Sequence, residues 1–393
     1  MKIVAAGGGS GGHVTPVLAV LHTLKQHDKQ LEVCFVTDSK FGDQAEDLMK
    51  HGNMNVVVKR IHAGKFRRYH TVSIWRQLAD LPTLFRNIRD VFVTLVGFCQ
   101  SIWLLASYKP DVVFTKGGFV CVPLGLAAKL LGIPLVIHDS DAHPGLANRI
   151  LSRWATTIAT GSPVEHYPYP REKTHYVGIP VNPTFAPVDE AQQRQLKAAL
   201  GFHDLTKPLI VVTGGGLGAR TINRAVVSIA PQLVDRVAMY HITGTGAYAE
   251  VMAHAPELID YHIVPFVSTG MAPVLGAADI VVSRVGATTM QELAALAKAV
   301  VMVPNPYLTG GHQLKNASVY EQAHAAVTVD EQELERNPLV LRKALEGLLD
   351  DPEHRKALGN ALHAFARPDA AIDMAALIVD AATTGPHKEP RRS

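Results

Sequence analysis

Short, largely apolar runs separated by longer helical stretches recur from one end of this 393-residue chain to the other. In the first half they are Ile3–Ala6, Leu31–Val36, Asn55–Val58, Val112–Phe114 and Pro134–Ile137. In the second half come Leu209–Val212, Met239–Ile242, Tyr261–Pro265, Asp279–Val282 and Ala299–Val303. A strand without polar alternation must be covered on both faces, so the runs predict parallel sheets flanked by helices, the α/β class. Gly or Pro marks nearly every junction between them, as expected where strand gives way to helix.

The chain is too long for one ordinary core and suits two domains. A first half runs from Met1 to about Tyr176, and the segment Val177-Gly178-Ile179-Pro180-Val181-Asn182-Pro183 reads as a linker. A second half restarts at Pro208 with the same device of strand, glycine loop and helix. The expectation is a doubly wound parallel-sheet domain over 1–177 and another over 178–386, the last helix free to pack back on the first. Residues 387–393 (HKEPRRS) read as a disordered tail. Two such domains facing each other create a cleft, with the glycine loops at the carboxyl ends of the strands.

Composition excludes several classes. Apolar residues at 47% and charged ones at 19% suit packed cores rather than disorder. A net charge of +3 sets up no global field for nucleic acid. Cys34, Cys99 and Cys121 form no CxxC pair or metal cluster, which fits a reduced cytoplasm. The chain starts directly on a strand pattern, with no signal peptide visible. Val91–Ala106 is strongly apolar but shorter than the roughly 20 residues that span a bilayer, so it reads as a buried or interfacial helix.

Three glycine loops carry the chemistry. Gly7-Gly8-Gly9-Ser10-Gly11-Gly12-His13 follows the first strand and opens a helix. Glycines let a ligand approach the backbone, and the N–H groups and dipole at the helix start favour a phosphate. Gly7, Gly9 and Gly12 also satisfy G-x-G-x-x-G, a dinucleotide signature. The acidic residue that should follow is badly placed, since Asp38 lies 26 residues beyond Gly12. The second loop is Lys116-Gly117-Gly118, and the third is Gly214-Gly215-Gly216-Leu217-Gly218-Ala219-Arg220. Any one could be only a tight turn. Three across two domains suggest several phosphates, as in a nucleotide diphosphate donor and a pyrophosphate acceptor.

The first loop with Val14-Thr15-Pro16, Tyr108–Val113, Gly117-Gly118-Phe119-Val120, Gly145–Arg149, Gly214–Arg220, Ser283–Glu292 and His312–Ala317 resembles glycosyltransferase family 28. Within it the chain is most similar to the peptidoglycan N-acetylglucosaminyltransferases. The resemblance implies a GT-B fold of two Rossmann-like domains with a cleft between them. It implies inverting transfer of N-acetylglucosamine from UDP-N-acetylglucosamine to undecaprenyl-pyrophosphoryl-N-acetylmuramoyl-pentapeptide. It assigns catalysis to His13 and Asp139. His13 sits at a helix start, where the dipole keeps imidazole neutral and fit to act as a base. It assigns the donor to Ser10, Gly11, Gly12, Asp141, Asn182, Gly216, Val267, Ala287, Thr288, Thr289, Met290, Gln291, Glu292, His312 and Gln313. Among these, Glu292 takes the ribose hydroxyls, Thr288 and Thr289 the diphosphate, His312 and Gln313 the sugar, and Val267 the uracil. Gly9, Gly11, Gly12, Gly117 and Gly118 fall to the acceptor pyrophosphate.

The chain also departs from the family pattern. His138-Asp139-Ser140-Asp141 stands where His-Glu-Gln-Asn is usual, so Asp141 replaces an amide and cannot donate when ionised. Gly178-Ile179-Pro180-Val181-Asn182 stands for Gly-Asn-Pro-Val-Arg, and Gly216 for a serine. Asp139-Ser140-Asp141 also spells D-x-D, a metal motif of another glycosyltransferase fold, read here as coincidence. No residue pattern demands a metal, although Mg²⁺ could assist; the UDP-sugar is a substrate, and no cofactor is required. Arg60, Lys65, Arg67, Arg68, Arg76, Arg86 and Arg89 interleave with Phe66, Trp75, Leu78, Leu81, Leu84 and Phe85. That mixture suits an anionic membrane surface and predicts peripheral binding at the cytoplasmic face. The competing readings are a non-hydrolysing UDP-sugar epimerase, a transferase of another sugar or lipid, and a non-catalytic nucleotide-sugar-binding protein.

Overall fold

The computed structural model describes the chain apart from residues 9–10, 40–41, 44, 47–55, 65–80, 142–143, 216–217, 268–269, 308–311 and 385–393. Of residues 11–13, 81–86 and 312 only the backbone is described. The chain forms two compact units, Met1–Asn182 joined by the residues from Pro368 onward, and Pro183–Arg367. The division thus falls at 182/183 rather than at 177/178. Val177, Ile179 and Val181 are buried, so the segment that reads as a linker finishes the first unit. The second unit ends at Arg367, and the tail 387–393 lies outside the described residues.

The first unit holds a seven-stranded sheet in the order β3-β2-β1-β4-β5-β6-β7, every pair parallel. Its strands are β1 (Lys2–Ala6), β2 (Glu32–Asp38), β3 (Val56–Ile61), β4 (Val112–Thr115), β5 (Leu135–Asp139), β6 (Thr157–Thr160) and β7 (Thr174–Tyr176). β1 is central, with Val4 opposite both Cys34 and Val113. On one side Val17, Val20, Leu21 and Leu24 of α1 (Gly11–His27) pack with Ile3, Ala5 and Phe114. The last helix, Ala370–Thr384, joins them through Met374, Ala375, Ile378, Ala381 and Ala382. That spacing is one helical face, and it explains why the chain's end returns to the first unit. The other side is covered by Leu104 and Leu105 of α2 (Leu81–Tyr108), Leu124 of α3 (Cys121–Leu130) and Leu151 of α4 (Leu146–Leu151).

α2 has two characters. Ser101, Leu104 and Leu105 are buried, whereas Ile88, Val91, Phe92, Leu95, Val96 and Trp103 are exposed, Phe92 at 65% and Trp103 at 73%. The apolar segment starting at 91 is therefore neither wholly buried nor polar on its free face.

The second unit holds a six-stranded parallel sheet in the order β10-β9-β8-β11-β12-β13. The strands are β8 (Leu209–Thr213), β9 (Ala238–Ile242), β10 (Tyr261–Val264), β11 (Ile280–Ser283), β12 (Ala299–Met302) and β13 (Val327–Thr328). Its helices include α5 (Glu190–Ala199), α6 (Arg220–Ile229), α7 (Ala287–Ala295) and α8 (His312–Gln322). α5 starts on a full capping box, with Asp189 accepting from the Gln192 amide and Gln192 reaching back. In each sheet the order of connection reverses once, between β1 and β4 and between β8 and β11. Loops part company at such a point and leave a crevice where ligands bind.

Candidate functional site

At the first reversal the β1 and β4 loops meet backbone to backbone. Gly117 and Gly118 have φ of 95° and 92°. A Cβ on Gly118 would lie 2.5 Å from the Gly8 carbonyl oxygen, and one on Gly8 would lie 2.7 Å from Val120. Only glycine allows that φ together with that approach. α1 begins at Gly11, so Gly11, Gly12 and His13 form its first turn, where backbone N–H groups have no helical partner. Gly9 and Ser10 lie outside the described residues, as does the His13 side chain.

Beside this loop, at the end of β5, lies a buried polar cluster. His138 and Asp139 are fully or almost fully buried, and so is Lys116 beyond the end of β4. Asp139 accepts from the Tyr169 hydroxyl at 2.7 Å. Burial pushes its carboxyl up to about 7, with Tyr169 and Lys116 opposing and Asp141 reinforcing the rise. Burial brings Lys116 down to about 8 against the pull of Asp141 and Asp139. Asn148 donates to the His138 carbonyl at 3.1 Å and sits 3.4 Å from where a Gly117 Cβ would be. Asp141 is only partly buried, and its carbonyl accepts from Tyr167 at 2.8 Å. The Asp139 carboxyl is thus tied to Tyr169. Sequence reasoning singled out Asp139 and Asp141 here but missed Lys116 and Tyr169 as members of the cluster. Their partners are distant in sequence, and the one local signal was a lysine directly before a glycine pair.

At the second reversal the third glycine loop follows β8, and the turn into α7 follows the adjacent strand β11. Gly215 and Gly218 take φ of 75° and 74°, and a Gly218 Cβ would stand 2.4 Å from the Thr243 carbonyl oxygen. Gly216 lies outside the described residues. α7 is preceded by Gly286 with no side-chain cap, and a helix start of this kind favours an anion. Glu292 lies one turn on. It keeps part of its surface open yet is deep enough that burial pushes its carboxyl up to about 8. Met290 and Gln291 are placed differently from the expectation. Met290 is wholly buried in the core and its amide bonds Gly286, while Gln291 donates its side-chain NH₂ to the Phe365 carbonyl at 2.7 Å. Helical geometry turns these two side chains inward while Thr288, Thr289 and Glu292 keep surface.

Gln313, in the first turn of α8, accepts from the Asn305 amide at 2.8 Å, which orients its NH₂. His312 starts the same helix, its side chain outside the described residues. Val267 is partly buried against the core of the second unit. Asn182 closes the first unit, half-buried and held by an interaction of its own.

Two parallel-sheet α/β domains, each with glycine loops at its point of reversal, define the GT-B class of glycosyltransferase fold. Residues 3–160 match the glycosyltransferase family 28 N-terminal domain, and residues 209–373 match the family 28 C-terminal domain. A curated relative from Halalkalibacterium halodurans is 32% identical over 386 residues, covering 97% of this chain and 100% of that protein. Another, from an Exiguobacterium species, is 33% identical over 383 residues, 96% of this chain and 99% of that protein. Both are named UDP-N-acetylglucosamine–N-acetylmuramyl-(pentapeptide) pyrophosphoryl-undecaprenol N-acetylglucosamine transferase. The crystal structure of Acinetobacter baumannii MurG matches with a TM-score of 0.69 at 26% identity, over 96% of this chain and 99% of that one. A Neisseria meningitidis UDP-GlcNAc 2-epimerase matches with a TM-score of 0.66 over 97% of this chain and 100% of that one. At 12% identity it shares the fold alone. The chain belongs to glycosyltransferase family 28.

Proposed function

We propose that this glycosyltransferase moves N-acetylglucosamine from UDP-N-acetylglucosamine to undecaprenyl-pyrophosphoryl-N-acetylmuramoyl-pentapeptide, with inversion at the anomeric carbon. The observation that carries the reading is similarity over nearly the whole chain, at 32%, to relatives named for that reaction. The glycine loops at both reversals support it. In this reading the Gly8–Gly118 loop pair and the start of α1 hold the acceptor pyrophosphate. The start of α7, with Thr288 and Thr289, holds the donor diphosphate, and Glu292 accepts from the ribose hydroxyls. Gln313 and His312 contact the donor sugar. His13 takes the proton of the acceptor hydroxyl, and Asp139 keeps the neighbouring strand end in place. No cofactor is required, so transfer continues in the presence of a chelator.

The acceptor is a lipid, and the free face of α2 suits a membrane surface. Ile88, Val91, Phe92, Leu95, Val96 and Trp103 leave about one apolar stripe uncovered, and such a stripe inserts at the headgroup boundary. Of the basic residues expected around it, Arg60 is already paired with Asp43 and Glu46, and Arg89 with Asp90. Residues 65–80 and the Arg86 side chain lie outside the described residues. The proposed site of action is peripheral, on the cytoplasmic face of a bacterial membrane.

The test is product analysis. Incubation with UDP-N-acetylglucosamine and the lipid-linked muramoyl-pentapeptide is expected to give a lipid heavier by one N-acetylhexosamine, with a β linkage by NMR. Epimerised nucleotide sugar in the absence of acceptor would instead favour the epimerase reading. His13→Ala is expected to lower kcat by about 10²- to 10⁴-fold, the range of a lost general base, with UDP affinity unchanged.

A further inference from the structure

Lys116 is a buried cation that the proposed chemistry leaves without a role. It follows β4 directly, ahead of the Gly117–Gly118 turn, and is 2% exposed. An isolated ammonium is strongly unfavourable in such a place, so its partners define its purpose. Its Nζ donates to the Ser140 hydroxyl. Ser140 Oγ lies 3.3 Å from His138 Nδ1, and His138 Nε2 lies 2.8 Å from the Gly178 carbonyl oxygen.

A carbonyl can only accept, so Nε2 carries the imidazole proton and Nδ1 is the acceptor. The Ser140 hydroxyl therefore donates to Nδ1 and receives the lysine on its lone pair. The chain has one direction: ammonium, hydroxyl, imidazole, Gly178 carbonyl. It requires a neutral His138, and burial together with the Lys116 charge holds that imidazole well below its ordinary range. The titratable groups acting on Lys116 are Asp141, then Asp139, then the Cys121 thiol. Tyr169 and Asn148 complete the surroundings of Asp139.

We propose that Lys116 is a positioning residue for sugar transfer: through Ser140 and His138 it ties the end of β5 to Gly178. Asp141 acts on the Lys116 charge more strongly than any other acid, so these two positions are tested together, an acid standing at 141 where the family pattern has an amide. The catalytic half of the inference rests on the function proposed above; the electrostatic half does not.

The experiment is a cycle of Lys116→Met, Asp141→Asn and the double variant. Lys116→Met is expected to lower kcat/KM by more than about tenfold, a typical loss for one misplaced group. It should also move the acidic limb of the pH profile to higher pH, because Asp139 loses its nearby cation. The double variant should recover to near the level of Asp141→Asn alone. Losses that multiply, with a limb that stays in place, would overturn the proposal, since a merely structural lysine changes the height of the profile and not its position. The Asp139 carboxyl carbon, titrated by NMR in wild type and Lys116→Met, gives a readout free of activity. A higher midpoint without Lys116 supports the charge pairing and an unchanged one refutes it, even if wild type transfers no sugar and the functional reading fails. Should Lys116→Met not fold, Ser140→Ala cuts the chain and keeps both charges. A fall in kcat with UDP affinity retained is then expected, and an unchanged kcat contradicts the proposal.

Discussion

Two carboxyls in this protein are held protonated towards neutral pH, and each makes a prediction with a definite sign. Burial raises Asp139 from its ordinary 3.8 to about 7. In that window the folded chain holds a proton that the unfolded chain has lost, so stability falls as pH rises through it. Urea unfolding of Asp139→Asn at pH 5 and pH 7.5 should show less of this fall than wild type; equal slopes would mean that Asp139 ionises normally. Glu292 is raised to about 8. A carboxylate accepts two hydroxyl hydrogen bonds better than the acid does, so UDP binding should release a proton and tighten as pH rises towards 8. Calorimetric titration of wild type and Glu292→Gln checks this, with about 10- to 100-fold weaker binding and no slope expected for the variant. At this scale the sequence showed which residue types stood together, as in Asp139-Ser140-Asp141, but not their surroundings. Tyr169 is thirty positions from Asp139 in the chain, and no local pattern predicts that contact. The same limit applies to Met290 and Gln291, whose inward turn is set by the packing of α7.

Elements were far more legible than side chains. The glycine loops announced both points of reversal because a φ near 90° and a backbone contact leave no alternative residue. Gly118→Ala should show this by destabilising the first unit by about 1–3 kcal/mol, the range for a strained non-glycine backbone, read from thermal unfolding. A melting curve identical to wild type would contradict the packing of Gly118 on Gly8. The continuous apolar strands were equally plain, since burial on both faces leaves nothing to alternate. β6, β7 and β13 were not anticipated. Each is short, with threonines at Thr157, Thr160, Thr174 and Thr328, so it lacks the apolar signal of a central strand. The last helix is the other lesson. The sequence left it free to pack back on the first domain, but nothing local named α1 as its partner, because α1 lies at the opposite end of the sequence. Ile378 is wholly buried there, and Ile378→Ala should cost about 2–5 kcal/mol. The loss should appear in the unfolding of the first unit, and hydrogen exchange in α1 should rise with it.

For the whole molecule, the proposed transfer brings a sugar from a soluble nucleotide to a lipid, which requires one surface for water and one for membrane. Replacing Phe92, Leu95 and Trp103 by serine should weaken sedimentation with anionic vesicles while leaving UDP affinity intact. Undiminished sedimentation would remove α2 from the membrane contact. UDP release from UDP-N-acetylglucosamine, followed with and without lipid-linked muramoyl-pentapeptide, tests the proposed transfer itself. Release is expected to depend on the acceptor and to match the formation of disaccharide lipid mole for mole. Tight UDP binding with no release in the presence of that acceptor would contradict it.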